Sequence, residues 1–357
     1  IRMVSRFADA GFQGAAGRKL EPDLPDLRRD PVTGRWVIIS TDRAQRPSDF
    51  IREPVQFKTG VCPFCAGNEA KTPPEILAYR PGGNGANGPG WTVRVVPNKF
   101  PALRVEGDLD RQADGIFDRM NGVGAHEVVI ETPEHMHTLA TMPEKRIEDV
   151  MYAVRDRLVD LKRDMRLKYA LVFKNHGAAA GATQEHPHSQ IIAMPIVPRN
   201  IVEELKGARE YFQLKDRCIY CDVVRQEAKD EERVVFQNDT FLVIAPYASR
   251  FPFETWVLPR KHDSGFEFSP AVNFGDLSRA LKSLFMRLDA VLDHPAYNLV
   301  LHSAPMQDQP TEHYHWHIEV IPTLKKVTGF EWGTGVHINP TSPEDAAKFL
   351  REAGEND

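Results

Sequence analysis

The stretch His186-Pro187-His188-Ser189-Gln190-Ile191-Ile192-Ala193-Met194-Pro195 places polar residues at every second position in front of a short apolar run. Alternate side chains of a strand share one face, so His186, His188 and Gln190 are expected to project together. A second stretch, His313-Tyr314-His315-Trp316-His317-Ile318-Glu319-Val320-Ile321-Pro322, repeats the design. Outward from both, the same order of features occurs twice. In the first half it runs from a C-x-x-C pair, Cys62 and Cys65, through strand patterns at 91–96 and 126–131 to His135, then a helical pattern at 143–165 behind a Thr141 cap and a strand at 169–174. In the second half it runs from Cys218 and Cys221 through strands at 241–245 and 254–258 to His262, then a helical pattern at 274–292 and a strand at 298–302. His135 and His186 lie 51 residues apart, as do His262 and His313, and Glu127 precedes His135 by the same eight residues as Glu254 precedes His262. Two copies of one α+β unit joined end to end account for this agreement, with the joint between Pro195 and Arg217.

Length and composition suit such a molecule. The chain has 357 residues, 41% of them hydrophobic and 27% charged, which is ordinary for a globular protein of one large or two medium domains. No apolar stretch near residue 1 resembles a signal peptide, and none later reaches the length of a membrane span, so a soluble, cytoplasmic protein is expected. With 45 basic and 50 acidic residues the net charge is −5, which argues against a whole-surface grip on nucleic acid. An anion must be held by a local cluster. The Gly/Asn/Pro stretch at 81–90 reads as a mobile surface loop, with phosphate cradling as its alternative. Ser342 reads as the cap of a final helix.

The four cysteines form two C-x-x-C pairs, each with distant histidines, a pattern that suits zinc better than a disulfide framework. A thioredoxin-type redox pair is the alternative for either one. Cys62, Cys65, His135 and His186 make a closed Cys2His2 set that would pin His186 and so aim His188. The repeat predicts a second set of Cys218, Cys221, His262 and His313. A nucleic-acid zinc finger would need its pairs within about thirty residues, far closer than Cys65 and His135.

The H-x-H-x-(H/Q) run resembles the histidine-triad superfamily, whose members act at the α-phosphate of nucleotides. A longer ordered set is similar to one branch of it, the galactose-1-phosphate uridylyltransferases: Arg28-Arg-Asp-Pro-Val-Thr-Gly-Arg-Trp-Val-Ile-Ile-Ser40, Arg43-Ala-Gln-Arg46-Pro47, Cys62-Pro-Phe-Cys65-Ala-Gly-Asn68, Asn98-Lys-Phe100, and Asn175-His-Gly-Ala-Ala-Ala-Gly181-Ala-Thr183 leading into His186-Pro-His188-Ser-Gln190. The resemblance spans about Arg28 to Asn339. It implies two tandem histidine-triad-like repeats, each an antiparallel sheet with packed helices: an N-terminal tail at 1–25, a catalytic domain at 26–199 and a second domain at 200–357.

The resemblance also implies transfer of UMP between UDP-glucose and galactose 1-phosphate through a covalent uridylyl-His188, in a homodimer. Imidazole is a competent nucleophile at neutral pH. A phosphate leaving group needs no strong acid, which suits Gln190, a neutral amide able to donate a hydrogen bond but not to shuttle protons. Arg43, Arg46, Asn175 and Thr183 are implied phosphate-binding residues, Asn98 and Phe100 nucleoside-binding, and Lys326, Gly329, Phe330 and Glu331 hexose-phosphate-binding. Members of this family often bind a metal through one Glu and three His, matched here by Glu204, His302, His315 and His317. That set and the second Cys2His2 set are both complete in the sequence. Ser189 replaces a glycine of many of these transferases, and a plant relative with a similar core resembles an ADP-glucose phosphorylase. Adenylyl transfer from ADP-glucose is therefore the alternative function; a zinc-dependent hydrolase or binding protein is a further one.

Overall fold

The computed structural model describes residues 24–40, 46–50, 60–83, 85–270, 273–308 and 310–354. In chain order the elements are β1 (Asp26–Arg29), β2 (Trp36–Ile39), β3 (Leu77–Tyr79), β4 (Val93–Pro97), β5 (Gln112–Asp114), β6 (Phe117–Arg119), β7 (Ala125–Ile130), α1 (Glu144–Leu161), β8 (Tyr169–His176) and β9 (His188–Met194). There follow α2 (Arg199–Lys215), α3 (Ile219–Asp230), β10 (Val234–Gln237), β11 (Phe241–Ile244), β12 (Thr255–Pro259), α4 (Asn273–Leu292), β13 (Tyr297–His302), β14 (His317–Pro322), α5 (Gly329–Thr334), β15 (His337–Asn339) and α6 (Pro343–Ala353).

The duplication shows in the main sheet, whose strand order is β10-β11-β12-β14-β13-β8-β9-β7-β4-β3. Read from either edge, the two halves present the same succession. Every pairing within it is antiparallel. The two expected sheets are thus fused edge to edge: β8 and β13 pair from Tyr297 opposite His176 to Leu301 opposite Val172. Fusion supplies each central strand edge with a partner and leaves no open edge between the copies.

One face of this sheet is covered by α1, α4 and α6. On α1, Ile147, Val150, Val154, Leu158 and Leu161 recur at helical spacing and are buried; on α4, Leu277, Leu281, Leu284, Leu288 and Leu292 do the same. Each fully buried Leu or Ile contributes about 1.5–3 kcal/mol, so this layer dominates the core. Strand alternation sends Ile191 and Ala193 into it, while His188 and Gln190 face the opposite side. The α1 cap differs from expectation. Pro143 is the N-cap residue, and the Thr141 hydroxyl is occupied one turn earlier, accepting from Thr138 N at 2.9 Å. Ser342 does cap α6, accepting from Asp345 N at 3.1 Å.

Two features were not legible in the repeat. The joint contains a 17-residue helix, α2, and β1 and β2 form a separate three-stranded sheet with β15 from the far end of the chain. The N-terminal segment is also laid across α2, where an ideal Cβ at Gly207 would lie 1.8 Å from the Val32 carbonyl oxygen. A mid-helix glycine costs about 1 kcal/mol relative to alanine, and here close approach explains it. Gly207→Ala is expected to destabilise by about 1–3 kcal/mol in urea unfolding, because backbone must move to admit the methyl. Gly333→Ala in α5, with no atom within 4 Å of its Cβ, is the control and should not destabilise, gaining up to about 1 kcal/mol from helix propensity. Equal behaviour of the two would contradict the packing described.

Candidate functional site

His188 opens β9 on the face away from α1. Its Nδ1 lies 2.8 Å from the His186 carbonyl oxygen, which can only accept, so Nδ1 carries the proton and Nε2 keeps the lone pair. Burial, and then the Lys174 ammonium, push its pKa down, which keeps the ring neutral and nucleophilic. Phe64, between the two cysteines of the first pair, covers the ring at 5.5 Å between centroids. Beneath the strand, on the helix-facing side, the Lys174 ammonium donates to Glu131 at 2.7 Å and to the His188 carbonyl at 3.2 Å. The Ser189 hydroxyl donates to the same carboxylate at 2.5 Å, so the serine is tied into this buried network.

Other expected residues gather around this histidine. Gln190 and Asn175 share its face, Phe173 being opposite Gln190 in the ladder. Asn175 Oδ1 accepts from Asn298 Nδ2 at 2.8 Å, which turns its own amide nitrogen toward Gly181. Gly177 and Gly181 have φ of 80° and 85°, and a Cβ at Gly177 would strike Ala296, so the tight Gly177–Gly181 turn depends on both glycines. Thr183 is exposed just after it. Asn98 reaches the Gln190 side chain, with Nδ2 3.5 Å from Oε1, and Phe100 is 82% exposed beside it, open to a flat ligand.

Arg43 falls outside the described residues. Arg46 is exposed before a short turn at Pro47–Asp49 that packs toward α4. In the segment of Lys326, Gly329, Phe330 and Glu331, Lys326 and Phe330 are exposed, but Glu331 is buried and fully engaged, accepting from Lys325 Nζ at 2.6 Å, Thr328 N at 2.8 Å and Ile338 N at 3.2 Å. Burial would raise its pKa, yet these donors outweigh it and hold it at about 2. Glu331 therefore fixes α5 against β15. The loop at 81–90 is tied at Asn87, which exchanges hydrogen bonds of 2.7 and 2.8 Å with Glu75.

Among the described residues, three clusters could hold metal ions. Cys62, Cys65, His135 and His186 bring their ligand atoms within 4.8 Å of one another. Cys65 Sγ lies 3.3 Å from His135 Nδ1 and 3.6 Å from His186 Nδ1. A tetrahedral ion with thiolate and imidazole ligands sets neighbouring S and N about 3.5 Å apart, so the cage has the right size. His186 Nε2 bonds the Thr132 carbonyl at 2.7 Å, which places its proton there and frees Nδ1 for a metal.

The second cluster is Cys218, Cys221, His262 and His315, and here the expectation of His313 is corrected. Cys221 Sγ lies 3.5 Å from His262 Nδ1 and 3.6 Å from His315 Nδ1. His315 Nε2 bonds the Pro259 carbonyl and His317 Nδ1 the His315 carbonyl, reproducing the roles of His186 and His188 two residues later than the 51-residue spacing indicated. A shift of two keeps the same strand face, so alternation could not reveal it. His313 stands against Phe212 of α2 at 6.5 Å. The Glu127 and Glu254 spacing also proves coincidental: Glu127 faces α1 and holds Arg157 in a bidentate pair, whereas Glu254 binds Arg250 on the opposite face.

The third cluster is Glu204, His302 and His317; His315, expected as a fourth member, belongs to the second cluster instead, so the two clusters share no residue. Glu204 accepts from His302 at 3.0 Å and from Tyr314 at 3.0 Å. Burial would lower the His302 pKa, yet Glu204 and Glu319 outweigh it and lift it to about 9. His317, the structural counterpart of His188, is 1% exposed and enclosed by Tyr220 and Trp256. Glu319 stands where the first copy has Gln190, and a carboxylate there repels a phosphate. This second centre is therefore unsuited to attack on a nucleotide.

The sequence reading missed Phe64, the Lys174–Glu131–Ser189 network, the Tyr220 and Trp256 cover, and His126, whose Nε2 lies 2.8 Å from Gln190 Oε1. Only Glu319 left a legible sign, an H-x-E where the first copy has H-x-Q. Among the described residues no helix is long and apolar enough to cross a membrane.

Comparison with known proteins agrees with this geometry. Residues 19–198 match the family model of the galactose-1-phosphate uridyl transferase N-terminal domain, and residues 204–352 that of its C-terminal domain. The chain is 37% identical to an ADP-glucose phosphorylase of Arabidopsis thaliana over 98% of both chains, and 31% identical to a galactose-1-phosphate uridylyltransferase of Thermotoga maritima over 92% of this chain and 98% of the other. Among solved structures, it resembles an Arabidopsis thaliana ADP-glucose phosphorylase with bound ADP-glucose at a TM-score of 0.78, with 36% identity over 92% of this chain and 99% of that one. A uridylyltransferase structure aligns at a TM-score of 0.73, with 28% identity over 93% and 99% of the two chains. Both halves match in order and along nearly their whole length: the chain belongs to the galactose-1-phosphate uridyl transferase family.

Proposed function

We propose that the protein transfers a nucleotidyl group from a nucleoside diphosphate hexose to a second phosphate acceptor through His188. The observation that carries this is the His188 ring, with Nδ1 held by a backbone carbonyl and Nε2 free on the face that bears Gln190 and Asn175. In the first step the Nε2 lone pair attacks the α-phosphorus. The bond from that phosphorus to the bridging oxygen breaks, its electron pair leaves on hexose 1-phosphate, and a nucleotidyl-histidine remains. In the second step an oxygen of the acceptor phosphate attacks the same phosphorus, the N–P bond breaks and the imidazole is restored with its proton still on Nδ1. Amide donors from Gln190 and Asn175 meet the charge on the non-bridging oxygens. Thr183 adds to the phosphate contacts, Arg43 and Arg46 are assigned to them by the family resemblance alone, and Asn98 with Phe100 meets the nucleoside.

The Cys62 and Cys218 clusters are structural zinc sites in this reading, since four protein ligands leave no position for substrate. The Glu204 cluster is a third candidate metal site. The division at 199 and 200 separates a catalytic domain from one whose site face is sealed, and a cytoplasmic homodimer belongs to the same reading.

For the transferred group, the family reading is UMP exchange between UDP-glucose and galactose 1-phosphate, with Lys326, Gly329, Phe330 and Glu331 near the hexose phosphate. Phosphorolysis of ADP-glucose is the second reading, favoured by the higher identity to the Arabidopsis thaliana ADP-glucose phosphorylase and by the engagement of Glu331 in the α5 turn.

Three outcomes are expected. The wild-type protein should exchange labelled hexose 1-phosphate into a sugar nucleotide without any other acceptor, and His188→Gly should lose this by at least about 10³-fold; free nucleotide release without acceptor would instead indicate a hydrolase. Side-by-side rates for UDP-glucose with galactose 1-phosphate and for ADP-glucose with phosphate choose the base: an advantage of about tenfold corresponds to roughly 1.4 kcal/mol of transition-state binding. Elemental analysis should find at least two zinc ions per chain. Cys218→Ser should lose one of them and keep most of the exchange activity, while Cys62→Ser should lose both zinc and exchange; a fresh protein with less than one equivalent would refute the assignment.

A further inference from the structure

We infer that His126 is a positioning residue that fixes the orientation of the Gln190 amide. The inference rests on nucleotidyl transfer at His188. A glutamine can present either its oxygen or its NH2 to a ligand, and only the NH2 stabilises a phosphoryl oxygen. The choice is settled here by two chains of hydrogen bonds that begin at backbone N–H groups, whose direction is fixed. In the first, Ala102 N donates to His126 Nδ1 at 3.1 Å, so Nδ1 is the acceptor and the proton of the neutral ring is on Nε2. That Nε2–H donates to Gln190 Oε1 at 2.8 Å. In the second, Phe100 N donates to Asn98 Oδ1 at 2.9 Å, which turns Asn98 Nδ2 toward the same pair, 3.1 Å from His126 Nε2 and 3.5 Å from Gln190 Oε1; with the His126 proton on Nε2, the Gln190 oxygen is the acceptor there.

Both chains end on Gln190 Oε1, so its amide nitrogen is the group left for a ligand. His126 lies on β7 opposite Ile192, diagonal to Gln190 on the site face, and a residue there can act on Gln190 without touching the phosphorus. The second copy supports this geometry by contrast. There Glu319 replaces Gln190 and is held by Arg250, itself paired with Glu254 just before β12, the counterpart strand of β7, so each copy supports this position with a partner suited to its charge.

A double-mutant cycle read in single-turnover formation of the nucleotidyl-enzyme tests the inference. His126→Phe should slow the step by at least about tenfold with half-saturation and zinc content unchanged, and His126→Gln, which keeps a donor near Nε2, should recover most of the rate. In a Gln190→Ala background His126→Phe should have no further effect, because its role passes through Gln190. Equal losses in the two backgrounds, or no loss in either, would overturn the inference while leaving normal wild-type labelling intact. Wild-type protein that takes label from neither UDP-glucose nor ADP-glucose would overturn nucleotidyl transfer and this inference together. Independently of turnover, long-range 1H–15N spectra of the free protein should show the His126 proton on Nε2; a proton on Nδ1 contradicts the arrangement.

Discussion

A single residue, His186, couples the two parts of the site. Its Nδ1 faces the Cys62 and Cys65 sulfurs, its Nε2 is anchored on the Thr132 carbonyl and its own carbonyl accepts the Nδ1 proton of His188. A metal ion in that cage would fix the backbone of the residue that decides which His188 nitrogen is nucleophilic. His188 is two residues from His186 on one chain segment, so any loosening of the cage reaches it directly. The Lys174–Glu131–Ser189 network adds a second anchor from beneath, through the His188 carbonyl. Buried charges so arranged are costly to separate, which makes the strand an inflexible platform.

Duplication explains both the shape of the molecule and its asymmetry. Pairing of β8 with β13 gives one sheet its pseudo-symmetric strand order and places the two histidine runs on one face. The copies then differ in what fills that face. In the first, Phe64 covers His188 but leaves it 6% exposed, and the neutral amide of Gln190 stands beside it. In the second, Tyr220 and Trp256 close over His317, and Glu319 supplies charge of the wrong sign for a phosphate. Arg250 bridges Glu319 and Glu254 in an internal ion-pair network.

Much of this was legible in the sequence because repeats, C-x-x-C pairs and alternating histidines obey short-range rules. The strands and both long helices follow from periodicity, and the first Cys2His2 set from spacing. What was not legible arose from tertiary geometry. Assigning His313 in place of His315 was an error of two residues, invisible to an alternation with period two. Glu127 and Glu254 share a spacing, yet one faces α1 and the other the site face. Helix α2 was hidden in the joint, although it supplies Glu204. His126 carried no motif at all, since its role exists only once β7 and β9 pair and the Ala102 backbone comes within reach.

The central claim is that Nε2 of His188 forms the bond to phosphorus while Nδ1 keeps its proton on the His186 carbonyl. The most direct test is the 15N and 31P spectrum of the nucleotidyl-enzyme formed on protein labelled with 15N-histidine, with the His188 signals identified by their absence from His188→Gly. The account predicts phosphorus coupled to Nε2 of His188 and a protonated Nδ1. Phosphorus coupled to Nδ1, or to a histidine of the second copy, would contradict it.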